Sequence, residues 1–105
     1  MLLTNIESVP GKSIVEHFGL VAGSTVRAKN SLKDFGAGIK NIFGGELKSY
    51  TALLEESRKQ AVQRMIDQAE ELGANAIVNV RFSTSNITQG ASELYLSGTA
   101  VKIGY

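Results

Sequence analysis

The sequence predicts an α+β domain, in which helices cover one face of a small β-sheet. The helical periodicity of residues 46–72 and the strand-like alternation of the segments around it support this fold class. The predicted order is strand, helix, helix, strand, strand. A chain of 105 residues builds one core, so we expect a single domain over residues 1–105.

Composition excludes several classes of function. The chain has no Cys, which removes disulfides, zinc–thiolate sites, iron–sulfur clusters and thiol nucleophiles. A net charge of +1 gives no electrostatic basis for binding nucleic acid or an anionic membrane, so neither is predicted as a partner. No export signal or membrane-length apolar run is recognisable, so we expect a cytoplasmic protein. No cofactor is predicted.

The first strands precede the helices. Leu2 to Ile6 is short and apolar enough for a strand, and Phe18 to Lys29 alternates as the first main strand should. Gly19 and Gly23 lie inside this main strand. Glycine within a strand indicates a bulge or a close approach of another backbone.

A short helix is predicted over residues 31–43. Leu32, Phe35 and Ile39 are spaced along one helical face, and Ser31 is a suitable N-cap. Gly36 and Gly38 each lower the intrinsic stability of a helix by about 1 kcal/mol relative to Ala. We therefore expect this helix to depend on packing.

The long helix is the clearest element. An apolar stripe runs along residues 46–72, and Gly73 follows as a C-terminal stop that tolerates positive φ. The stripe consists of Leu54, Ala61, Val62, Met65, Ile66, Ala69 and Leu72.

Two strands end the chain, Ala76 to Phe82 and Glu93 to Ile103, with a polar hairpin extension and loop between them. The last strand is apolar or small on both faces, which favours a central position. A strand–helix–strand crossover makes its two strands parallel, so the three main strands are expected in the order 1-3-2, antiparallel to their neighbours. The small residues Gly98 to Ala100 are expected to let the long helix approach the central strand.

Helices on one face leave the other face of such a sheet uncovered. We expect that face to carry residues such as Val21 or Tyr95. With so little chain left, its partner is predicted to be another copy of the same chain.

The chain resembles the YbjQ family of small prokaryotic proteins over its whole length. The resemblance rests on motifs in order, among them Gly44-Gly45-Glu46, Tyr50-Thr51, residues 72–76 and residues 98–101. It implies a dodecin-subunit-like βαββ fold, a two-layer sandwich that forms a ring, most simply a homopentamer with short extra strands at the subunit contacts. The family has no established activity and bears the label "putative heavy-metal-binding".

Four residues are ligand-binding candidates: Glu46, Tyr50, Arg58 and Glu93. Glu46 follows a Gly-Gly pair that is either an anion-binding nest or a tight turn between helices. Arg58 is expected to pair with Glu46 or Glu93 across a subunit contact, or else to clamp a substrate. No catalytic residue is predicted, because no spacing singles out an acid–base pair or a nucleophile elbow.

Two functions follow from these candidates. The first is a non-enzymatic, ring-forming binding or scaffold module, with a small ligand or cation at subunit contacts or on the ring axis. The alternative is an enzyme whose inter-subunit clefts assemble Tyr50, Arg58 and Glu93. The single His, His17, is a metal candidate only by repetition around such a ring.

Overall fold

The computed structural model describes residues 1–28, 45–88 and 91–104, without the side chains of residues 27, 28, 45–50, 87 and 88. Its strands are β1 (Leu2–Leu3), β2 (Ser13–Ala28), β3 (Ala76–Thr88) and β4 (Ala91–Gly104), and its long helix is α1 (Gly45–Glu71). The predicted short helix over residues 31–43 lies outside the described residues.

Helix α1 confirms the long helix that the apolar stripe predicts. It ends where Gly73 adopts a φ of 91°, a conformation that side-chain-bearing residues rarely adopt. The Gly73 N–H donates to the Glu70 carbonyl at 3.0 Å, and the Ala74 N–H donates to the Ala69 carbonyl at 3.1 Å. These two bonds form a Schellman motif, which satisfies carbonyls that the helix end leaves free.

The face that α1 buries differs in part from the predicted stripe. The buried residues recur at every fourth position: Leu53, Ser57, Ala61, Met65 and Ala69. Leu72 was expected to be in the stripe, but it is 44% exposed because the chain has already left the helix. Three of the five buried side chains are small, so α1 can approach the sheet closely.

The sheet is larger than predicted. It has four strands in the order β1-β3-β4-β2, and it is mixed because β1 pairs parallel with β3. The expected three-stranded antiparallel sheet of order 1-3-2 therefore differs from the observed sheet in strand number and in full strand order, although the last strand is central as predicted. Strand β4 lies between the long strands β2 and β3, and β1 is the strand that the order omitted. A two-residue strand is too short to show alternation, so sequence pattern cannot place it.

The long strands also extend beyond their predicted limits. Strand β2 begins at Ser13 instead of Phe18, and β3 continues to Thr88 instead of ending at Phe82. The polar residues Ser83 to Asn86 pair in register with β4, from Tyr95 to Ser92. Backbone hydrogen bonds carry this ladder without apolar side chains, so the segment predicted as a hairpin extension and loop is strand as far as Thr88.

Both glycines of β2 have the roles expected from the sequence. Gly19 has a φ of 105° and lies at a register shift between β2 and β4. Gly23 lies directly under α1, where an added Cβ would meet the Ala61 carbonyl and would come within 2.6 Å of the Met65 amide. Two residues on, the buried Thr25 hydroxyl donates to the Ser57 carbonyl at 3.2 Å.

Gly98 allows a close approach, but to a different neighbour from the one expected. A Cβ there would lie 2.6 Å from the Ile77 side chain and 3.1 Å from the Val78 carbonyl, both in β3. The register between β3 and β4 shifts at this point, and Asn79 takes a φ of 54°. The small residue therefore accommodates a bulge in the neighbouring strand, whereas the close approach of α1 lies at Gly23.

Two apolar clusters lie on opposite faces of the sheet. The cluster under α1 includes Val21, Met65 and Ile77. The second cluster includes Val78, Val101 and Ile103, and Val9 from the segment before β2 covers it. The N-terminal segment thus covers one end of the face that α1 leaves bare.

Candidate functional site

The candidate site is the far end of the sheet face opposite α1, where apolar side chains meet solvent. Leu20 is 83% exposed, Val26 is 51% exposed and Tyr95 is 40% exposed. Strand register places them together, because Ser24 pairs with Tyr95 and paired residues of neighbouring strands share a face. We call Leu20, Val26 and Tyr95 the open face.

One of the two residues expected on this face lies elsewhere. Tyr95 is on the open face, but Val21 is only 1% exposed and packs under α1. The alternation of the strand was predicted correctly, since Val21 and Thr25 share one side. The face turned toward the helix was assigned wrongly, because α1 selects the side on which Gly23 lets it approach.

Two of the ligand-binding candidates, Glu46 and Tyr50, belong to the first turns of α1. Their side chains lie outside the described part of the structure. Gly45 is the first residue of the helix, so Glu46 lies at its N-terminal end, where a carboxylate complements the helix dipole.

Arg58 and Glu93 do not meet within one subunit. Arg58 is an exposed residue of α1, next to the buried Ser57. Glu93 pairs with Val26 in the sheet and therefore belongs to the face turned away from α1. The sheet separates the two side chains, so Arg58 and Glu93 could contact each other only between two copies of the chain.

His17 is exposed in β2, opposite Val101 and beside the register shift at Gly19. Within the described ranges, no three His, Asp or Glu side chains converge in an arrangement that could hold a metal ion. The described residues also contain no helix long and apolar enough to span a bilayer.

Two surface pockets contain residues that the sequence analysis did not single out. A pocket of about 450 Å³ is lined by Asn5, Ile6, Glu7, Ser8, Asn79 and Arg81. There Arg81 Nη1 donates to the carbonyls of Asn5, at 2.6 Å, and Val80, at 3.1 Å, which fastens the N-terminal segment to β3. Asn79 could have drawn attention to this pocket from the sequence, because Asn tolerates positive φ better than any residue type except Gly.

A second pocket, of about 360 Å³, lies between α1 and the far end of the β3–β4 hairpin. It is lined by Leu54, Thr84, Ser85, Asn86, Ser92 and Leu94, and none of these side chains carries a charge. The pocket depends on the long-range packing of α1 against the hairpin, which no local motif encodes.

Known proteins that are similar to this chain match it over nearly its whole length. The sequence profile of the YbjQ family, described as "Putative heavy-metal-binding", matches residues 1–104. A UPF0145 protein from Hahella chejuensis is 61% identical over 96% of this chain and 97% of its own. Another from Halorubrum lacusprofundi is 50% identical over 98% of this chain and 99% of its own.

A solved structure supports the fold. A protein of unknown function from Pediococcus pentosaceus, assigned to the DUF74 family, superposes with a TM-score of 0.59 over 99% of this chain and 98% of its own. At 15% sequence identity, that likeness concerns the fold alone. The whole-length profile match and the close relatives lead to one conclusion: this chain belongs to the YbjQ family.

Proposed function

We propose that this chain assembles into a homo-oligomeric ring, a homopentamer, and acts as a non-enzymatic binding or scaffold module. A small ligand or cation would bind at the subunit contacts or on the ring axis. The open face carries this proposal, because it presents apolar side chains at the surface of a small domain. Its expected location, the cytoplasm, stays a prediction that cell fractionation tests.

The energetics favour covering the open face. Fully burying one Leu, Val or aromatic side chain contributes about 1.5–3 kcal/mol. Leu20, Val26 and Tyr95 supply three partly or largely exposed side chains per subunit, repeated in each copy. A soluble monomer gains nothing from this surface, whereas an oligomer buries it at each contact.

The shape of the subunit supports the same proposal. Its Cα radius of gyration is 17.0 Å, and its extents are 55 × 25 × 21 Å. A compact domain of about 100 residues has a radius of gyration of about 13 Å. An elongated subunit has a large surface for its volume, which suits a segment of an assembly.

The family's heavy-metal label does not fit the donor set of this chain. Soft metals prefer thiolates and clustered imidazoles. The chain has no Cys and one His, and His17 lies exposed in β2 without a second ligand of its kind in the same subunit. Imidazoles could therefore cluster only between copies, for example where His17 repeats around a ring axis.

In this proposal, Arg58 and Glu93 meet between copies. Glu93 pairs with Val26 of the open face, so a subunit docked there would come next to Glu93. Arg58 is exposed on α1 and could reach that carboxylate from the neighbour. Such an ion pair would fix the register of the contact, since Arg forms bidentate pairs with carboxylates. The enzyme alternative needs the same junction, with Tyr50 added.

The test is analytical ultracentrifugation of Leu20→Gln beside Leu72→Gln at micromolar concentration. Both leucines are exposed, so neither change should unfold the subunit, but only Leu20 belongs to the open face. We expect Leu20→Gln to weaken assembly at least about tenfold, from the lost apolar burial, and Leu72→Gln to sediment like the parent chain. Equal sedimentation of both variants with the parent would overturn the assignment of the open face.

A further inference from the structure

The pocket beside the N-terminal segment is built entirely within one subunit. Residues 5–8 form one part of its wall, and Asn79 and Arg81 of β3 form the other. Its volume of about 450 Å³ falls in the range of small-molecule sites, about 300–1,000 Å³. We call it the N-terminal pocket. It is a candidate site that does not depend on contacts between copies.

Arg81 is held in a fixed orientation on the wall of the N-terminal pocket. Its Nη1 donates to the Asn5 carbonyl at 2.6 Å and to the Val80 carbonyl at 3.1 Å. Nε and Nη2 have no partner among the side chains and backbone groups that the structure describes. Because the guanidinium group is a planar fork, these two nitrogens present N–H groups that match the two oxygens of a carboxylate.

A bulge in β3 adds an amide to the same wall. Asn79 and Val80 together oppose Gly98 of β4. Asn79 takes a φ of 54°, and its N–H donates to the Ile6 carbonyl at 2.8 Å. Bulges often turn a side chain toward a binding site. The Asn79 amide lines the pocket without a hydrogen-bond partner in the described part of the chain, so it is available to a ligand.

Glu7 brings the opposite charge to the N-terminal pocket. It is an exposed residue of the N-terminal segment. Within the described ranges, no ion pair joins Glu7 to Arg81 or to another side chain. A purely anionic ligand would be repelled by Glu7, and a cation would be repelled by Arg81. A ligand that carries both charges is attracted by both residues.

We propose that the N-terminal pocket binds a free α-amino acid. The carboxylate of the ligand accepts from Nε and Nη2 of Arg81, and its ammonium group donates to the Glu7 carboxylate and to Asn79 Oδ1. Both charged groups of an α-amino acid are attached to the same carbon atom, so one small molecule can bridge two side chains that do not contact each other. The inference goes beyond the proposed function and does not rest on it, since the lining residues belong to one subunit.

The apolar part of the pocket wall indicates which amino acids fit. Ile6 lines the pocket and is 49% exposed, so it offers apolar surface to the side chain of the ligand. Burial of that surface favours an aliphatic side chain over a charged one. We therefore take L-leucine as the probe.

An NMR titration of the intact protein, followed at the backbone amides of Asn79 and Arg81, tests the class of ligand. L-leucine carries both charges, N-acetyl-L-leucine carries only the carboxylate and L-leucinamide carries only the ammonium group. We expect L-leucine to bind with a Kd of about 1 mM or tighter. Each singly charged probe should bind at least about tenfold more weakly. Absence of L-leucine binding, or equal binding of the three probes, would overturn the proposal.

A pair of charge-matched variants tests the location of the site. Glu7→Gln removes the carboxylate from the pocket, and Glu70→Gln removes an exposed carboxylate from α1. Both residues are exposed, so neither change should unfold the subunit. We expect Glu7→Gln to weaken L-leucine binding at least about tenfold and Glu70→Gln to bind like the parent chain. Equal affinity of the two variants for L-leucine would refute the assignment of Glu7 to the site.

Discussion

Gly23 sets the distance between α1 and the sheet. A methyl group there would meet the Ala61 carbonyl and the Met65 amide, which are backbone atoms of the helix and cannot move independently. We expect Gly23→Ala to destabilise the protein by about 1–3 kcal/mol, the usual cost of overpacking a core. Chemical denaturation at fixed protein concentration measures the loss.

Gly104→Ala is the matched control for that substitution. Its added Cβ would lie 3.5 Å from Val15, in ordinary contact, and its backbone does not adopt positive φ. We expect a change within about 0.5 kcal/mol. If the two variants had equal stability, the close approach at Gly23 would not be a constraint on the fold.

At the residue scale, sequence reasoning was correct for residue types whose placement has one dominant physical cause. Gly19, Gly23 and Gly73 were assigned a bulge or close approach and a helix stop, and the structure places each in such a role. It failed for Val21, because alternation defines two faces without saying which of them meets the helix. It also missed Asn75, whose side-chain amide pairs with the Ile103 backbone at 2.7 and 3.1 Å.

At the scale of the elements, α1 hydrogen-bonds the outer edge of β2, since the Ala22 N–H donates to Gln68 Oε1 at 2.7 Å. Removing the Gln68 acceptor leaves the Ala22 N–H without its partner. We expect Gln68→Ala to destabilise the protein by about 1 kcal/mol, the net value of a typical hydrogen bond, measured by thermal or chemical unfolding.

Gln63→Ala serves as its control on the exposed side of the same helix. Gln63 donates to Asp67 at 2.7 Å, an i,i+4 pair that contributes about 0.2–0.5 kcal/mol. A Gln68→Ala effect no larger than this would mean that the edge bond contributes nothing beyond ordinary helix pairs.

Strand limits were the least predictable feature of the elements. The polar stretch Ser83 to Asn86 has no alternating apolar face, yet its backbone continues the ladder with β4. The helix was easier to predict, because 3.6-residue periodicity persists over its 27 residues. Strand β1 confirms Leu2–Leu3 of the strand predicted over Leu2 to Ile6, but so short a segment has no alternation that could place it in the sheet order.

For the whole molecule, an uncovered sheet face could be predicted from the ratio of helices to strands. The extent of that face could not be predicted, since Val9 and the N-terminal segment cover one end of it. The sequence predicted that the site includes an uncovered sheet face, but it did not predict where the candidate residues lie relative to one another. Arg58 and Glu93 prove to lie on opposite sides of the sheet, a separation that depends on strand order and on which face α1 covers.

Native mass spectrometry of the purified protein tests the central claim, the ring, most directly. Five chains of 11.2 kDa give a predicted assembly of about 56 kDa. The same spectrum reports any bound metal, and the donor set leads us to expect no stoichiometric heavy-metal adduct. A dominant species of a single chain at micromolar concentration would contradict the account.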